Sequence, residues 1–132
     1  MTAEQSSSLQ GLAQEFHLRL LYVFGSFARG DMHAQSDVDL AYVADPALSF
    51  EQQMVLQDRL RSILDLGDRP IDLVNRMSAT PLLAALIHQE GRKLYGSPTD
   101  DERFYRQSVR QYLDAKPLQL ATQQYVHERL AL

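Results

Sequence analysis

The chain has 132 residues, 45% of them hydrophobic and 23% charged, with neither cysteine nor tryptophan. Thirteen basic against seventeen acidic residues leave a net charge of −4, so the chain as a whole is no basic nucleic-acid glove and no direct nucleic-acid contact is expected. At this length one compact domain is the default, and the lack of cysteine excludes disulfides, thiolate metal sites and a cysteine nucleophile.

No apolar run approaches the ~18 residues of a membrane span. Met1-Thr2-Ala3-Glu4-Gln5 lacks the basic and apolar regions of a secretion signal. These features fit a soluble, cytoplasmic protein. Eleven of the thirteen basic residues are arginine, which suits forked contacts to phosphate or carboxylate, although genomic base composition explains the bias equally well.

In chain order, residues 7–16 open with a serine cap and set Leu9, Leu12, Ala13 and Phe16 at helical spacing. Arg19 to Phe24 is short, apolar and β-prone, and Gly25 stops it, which predicts a buried strand. Residues 25–36 are a short polar loop with two glycines, and 37–44 form a second strand closed by Asp45-Pro46. From Ser49 to about Leu66 the pattern is helical, with Phe50, Leu56, Leu60, Ile63 and Leu64 on one stripe and Gly67-Asp68 as its end.

Residues 70–75 are a third strand whose leading proline is tolerated at a strand start. Residues 80–90 form another helix, with Pro81 in its first turn and Gly91 at its end. Leu94-Tyr95 fits a short edge strand. The stretch 99–132 is helical, and Lys116-Pro117 should break or kink it. The order α-β-loop-β-α-β-α-(β)-α predicts an α/β fold: a small mixed β-sheet flanked by helices. Residues 1–98 make the core, and 99–132 a C-terminal helical extension of the same domain.

Chemistry concentrates in Gly25-Ser26-Phe27-Ala28-Arg29-Gly30 and Ser36-Asp37-Val38-Asp39-Leu40. On a strand, residues i and i+2 share a face, so Asp37 and Asp39 project together while Val38 and Leu40 turn to the core. Two close carboxylates repel unless a cation lies between them or one takes a proton. All-oxygen ligation suits Mg²⁺ or Mn²⁺.

Gly25 lets the backbone approach a ligand, Ser26 adds a hydroxyl, and Arg29 sits one turn later with a fork for phosphate oxygens or for a structural ion pair. Asp72, between Ile71 and Leu73, is either a third ligand and proton acceptor or an aspartate satisfied by backbone N–H groups. There is no GxxxxGK[ST] and no GxGxxG. Arg69, Arg76 and Arg92 suit the wall of a nucleotide pocket or, equally, the surface, and His17, His33, His88 and His127 show no metal spacing and read as surface or core residues.

These residues resemble the DNA polymerase β-type nucleotidyltransferase superfamily, whose signature is GS-x10-D-x-D with a later strand carboxylate. The fit is Gly25-Ser26, Asp37-Val38-Asp39 and Asp72. The extended form GSxARGxxxxxSDxDL is similar to the minimal nucleotidyltransferases of prokaryotes, over roughly residues 7–95. The resemblance implies a polymerase β-like fold in which Asp37, Asp39 and Asp72 bind two Mg²⁺ ions. It further implies that Gly25 and Ser26 hold the triphosphate of ATP, with Arg29 at the family's position.

Minimal nucleotidyltransferases pair with a HEPN-domain RNase toxin, so the resemblance implies an antitoxin that transfers AMP to a toxin tyrosine within a hetero-oligomer. Two alternatives stay open: transfer to a small molecule such as an aminoglycoside, and a non-catalytic antitoxin that acts by binding. The C-terminal apolar stripe of Phe104, Tyr105, Val109, Tyr112 and Leu113 exceeds what a small sheet needs as cover. Leu118, Ala121, Tyr125 and Leu130 lie beyond the proline. Packing on its own core and presentation to a partner both account for that stripe.

Overall fold

The computed structural model describes residues 1–30 and 37–130, with side chains through Asp114. The first helix, α1 (Ala3–Glu15), starts earlier than the serine cap predicts. Thr2 and Gln5 form a reciprocal capping box there, so the helix gains an extra turn before Ser6. Leu9, Leu12, Ala13 and Phe16 are all buried, as their spacing requires.

The strands are β1 (Leu18–Phe24), β2 (Val38–Ala44), β3 (Ile71–Asn75) and β4 (Arg92–Gly96). They form one mixed sheet in the order β3-β2-β1-β4. β1 runs antiparallel to both β2 and β4, and β3 runs parallel to β2. The Leu94-Tyr95 edge strand is therefore real but longer, because Arg92 and Lys93 also pair with Val23 and Tyr22.

Alternation along β1 and β2 builds two apolar layers. Leu21, Val23, Val38, Leu40 and Tyr42 pack with Leu9 and Leu12 of α1 and with Leu56 and Leu60 of α3 (Phe50–Ile63). On the other face Leu20, Tyr22, Ala41 and Val43 meet Ile87 of α4 (Pro81–Glu90) and Phe104 of α5 (Pro98–Leu130). Each such leucine contributes about 1.5–3 kcal/mol by leaving water.

Several helix features depart from the sequence reading. Gly25–Arg29 is not loop but a five-residue helix, α2, closed by Gly30 in the left-handed region at φ 77°. α3 starts at a Ser49–Gln52 capping box but ends at Ile63, not near Leu66. Asp65 (φ 54°) and Gly67 (φ 61°) turn the chain there, and Arg61 clamps that turn by donating to the carbonyls of Gly67 and Arg69, each at 2.7 Å. Phe50 is 75% exposed, because the first turn of α3 lies beyond the sheet it covers from Leu56 onward.

α5 continues through Lys116-Pro117 without a break. A proline inside a helix removes one hydrogen bond and need not end it. Leu118, Ala121, Tyr125 and Leu130 lie outside the described side chains, and Ser36 and His33 outside the described residues.

Arg76 is no surface charge: it is 2% exposed. It follows β3 in a short 3₁₀ turn, Arg76–Ser78, and ties that turn to both helices of the second layer. Its guanidinium donates to the Phe104 carbonyl (2.6 Å), Gln107 Oε1 (3.2 Å) and His88 Nε2 (3.2 Å). His88 stands edge-on to Tyr22 with ring centroids 5.1 Å apart, so β1, α4 and α5 meet at this cluster.

Candidate active site

Two register pairs place the site. Phe24, the last residue of β1, lies opposite Asp39, and Asp39 lies opposite Asp72 on the parallel strand. Directly paired residues on adjacent strands share a face, so the Asp39 and Asp72 carboxylates project side by side. That face is the one α4 and α5 pack on, but those helices cover it over Leu20, Tyr22, Ala41 and Val43. Asp39 is half-buried, and Asp37 and Asp72 are exposed.

The exposure of Asp72 corrects one strand of the sequence argument. Its carboxylate is not trapped among apolar neighbours, so burial cost gives no reason for its presence. Register does, because it brings Asp72 to Asp39. Val38 and Leu40, which alternate with the aspartates, are fully buried on the opposite face.

Gly25 begins α2 at φ 71°, a left-handed conformation that glycine adopts without a steric penalty. A Cβ at this position would collide with the Asp39 carboxylate. The glycine is thus required twice: once by the turn from β1 into α2, and once by the close approach of Asp39. Ser26 follows it, half-buried, and Ala28 anchors α2 in the first apolar layer.

The electrostatics match this geometry. Burial is the main cause that pushes the Asp39 carboxyl above the usual carboxylate range; the charges of Asp72 and Asp37 raise it further. Arg29 acts in the opposite direction and favours the ionised form. Asp37, Asp72, Arg29 and Gly25 thus all bear on Asp39. Arg69, which the sequence left open between a pocket wall and the surface, has its guanidinium 5.9 Å from the Phe27 ring centroid on α2.

The donor set is all oxygen and carries mutual repulsion, which a hard divalent cation relieves. Among the described residues no three acidic or histidine side chains close into a cage. An open arrangement of carboxylates suits Mg²⁺, which keeps water and shares its ligands with substrate phosphates. Of the histidines predicted to have no metal role, His88 is in the core and His17 is exposed.

Comparison with known proteins follows the same lines. A protein adenylyltransferase MntA from Shewanella oneidensis is 35% identical over 95 residues, which are 72% of this chain and 66% of that protein. The match thus spans just under two thirds of that relative's length. A chain from a toxin–antitoxin crystal structure with AMP-PNP superposes with a TM-score of 0.77 at 29% identity, over 92% of this chain and 97% of the other. A chain from the tri-AMPylated Shewanella oneidensis HEPN toxin in complex with its MNT antitoxin gives a TM-score of 0.70 at 27% identity, over 92% and 95%.

No helix among the described residues is long and apolar enough to cross a membrane. The model of the family described as "polymerase beta, nucleotidyltransferase" matches residues 8–100, a span that holds the Gly25 turn and all three aspartates, and the chain belongs to that family.

Proposed function

We propose that this chain is a protein adenylyltransferase that transfers AMP from ATP to a tyrosine of a HEPN-domain RNase toxin in the cytoplasm and so neutralises it. The observation that carries the reading is the in-register pairing of Asp39 with Asp72 beside the Gly25 turn. The named activity of the Shewanella relative and the AMPylated toxin of the superposed complex support the choice of acceptor.

Asp37, Asp39 and Asp72 would hold two Mg²⁺ ions, which when bound supply the positive charge that the triphosphate and departing pyrophosphate need. Gly25 and Ser26 hold the triphosphate, the glycine by admitting it close to the backbone and the serine through its hydroxyl. Arg29 balances the carboxylates and is placed to share its fork with a phosphate oxygen. Asp72, exposed at the start of β3, helps take the proton of the acceptor hydroxyl. The tyrosine oxygen then bonds to the α-phosphorus, the bond to the bridging β-phosphate oxygen breaks, and pyrophosphate leaves.

Neutralisation is the test. With a cognate HEPN-domain toxin, RNase activity is expected to fall only when ATP and Mg²⁺ are both supplied. The Asp37→Ala/Asp39→Ala double variant should leave the RNase active. Equal neutralisation by that variant makes the chemistry dispensable and reduces the chain to a binding antitoxin.

A further inference from the structure

Outside the site, an open groove runs along the first half of α5 and encloses about 640 Å³. Arg103, Arg106 and Arg110 line it, three and four residues apart, and therefore on one helix face. The side chains of Arg103 and Arg106 are 61% and 73% exposed. Within the chain Arg106 meets Glu102 at 2.6 Å and Arg103 meets Asp100 at 3.8 Å, local pairs of small energetic weight.

A second groove of about 440 Å³ adjoins the first and shares Arg106 and Arg110 with it. Its floor is apolar: Tyr105, Val109 and Leu113, at helical spacing, with Tyr105 and Leu113 exposed. Phe104 of the same predicted stripe points inward and is buried, so packing and presentation divide the stripe between them.

We propose that this face of α5 docks the toxin, through a toxin surface on which carboxylates border an apolar patch. The inference rests on the protein-acceptor reading above and adds where that acceptor is held. Charge complementarity singles out the occupant. Three arginines on one face of a chain with net charge −4 call for carboxylates or phosphates. Glu102 and Asp114 line the same grooves and would repel a polyphosphate backbone, whereas a protein can place its own charges between them. An isologous pair of this chain through the same face would set arginine against arginine. Exposed tyrosine beside arginine matches the residue types enriched at protein interfaces.

The test is a calorimetric titration of a cognate HEPN-domain toxin, without ATP, at physiological and high salt. The Arg103→Glu/Arg106→Glu/Arg110→Glu variant is expected to bind at least about tenfold more weakly than the parent. Leu113→Asp and the milder Arg106→Gln/Arg110→Gln should weaken binding in the same direction, while circular dichroism reports an intact fold. With the charge-reversed variant, AMP transfer should approach the parent rate as toxin concentration rises.

Parent-like affinity in the folded triple variant overturns the docking and leaves the adenylyltransferase reading in place. Absence of any complex with the parent, or arginine-dependent self-association or RNA binding in its stead, also overturns it. A complex that depends on the arginines yet yields no AMP transfer upholds the docking and removes the activity.

Discussion

Asp39 is the residue on which the site turns, and its position carries a cost. Its carboxyl is half-buried and faces Asp72 and Asp37, so its pKa is raised above 3.8. A carboxyl whose folded pKa lies above its unfolded one gives stability that is complete at low pH and lost as pH rises through the folded value. At neutral pH the ionised Asp39 therefore weakens the fold. Asp39→Asn should melt at a higher temperature than the parent near pH 7 in the presence of EDTA, with the gap closing as the pH approaches 4. Its AMP transfer should fall at least about a hundredfold. A lower melting temperature at pH 7 would show that Asp39 serves structure rather than chemistry.

Residue spacing made much of this legible. Asp-x-Asp put two carboxylates on one side of a strand, and Gly25 after an apolar run marked the turn. The pairing with Asp72 was less accessible, because it depends on parallel register between β2 and β3, which no local pattern encodes. The apolar flanks that singled out Asp72 do not bury it: its side chain is exposed.

At the scale of elements, the sheet and its helices followed from periodicity, and the departures have local causes. A capping box lengthened α1, Arg61 held a turn that shortened α3, and α2 emerged from a polar stretch too short to show a helical period. Arg76 was hidden for a different reason. Its acceptors on Phe104 and Gln107 lie 28 and 31 residues further along the chain.

That cluster makes the docking of α4 and α5 sensitive to pH. Burial, reinforced by the positive charge of Arg76, lowers the His88 pKa from 6.5 to about 4. The neutral imidazole must accept from Arg76 at Nε2, leaving the proton on Nδ1, which faces Asp101 at 3.8 Å. A histidine with a depressed folded pKa gives stability that is present above 6.5 and lost as pH falls towards 4. Thermal midpoints of the parent should fall across that window. His88→Gln, whose amide oxygen can still accept from Arg76, should flatten the slope. An equal slope in both proteins would assign the effect elsewhere. Removing Arg76 itself takes away its hydrogen bonds to His88, Gln107 and Phe104 and is expected to cost roughly 3 kcal/mol.

For the molecule as a whole, one sheet serves two purposes along a single face. Over Leu20, Tyr22, Ala41 and Val43 it is closed by α4 and α5, and at the Phe24–Asp39–Asp72 end it carries the half-buried Asp39 beside the exposed Asp72. An accessible acidic site favours an acceptor that arrives with its own surface. The basic, partly apolar face of α5 supplies a place to hold such an acceptor.

The central claim is covalent transfer, so the direct measurement is the intact mass of a cognate HEPN-domain toxin after incubation with this chain, ATP and Mg²⁺. The mass should rise by one or more AMP units on a tyrosine with the parent, and stay unchanged with Asp39→Asn. An unmodified toxin in a folded complex with the parent, under conditions where ATP is bound, would contradict the account.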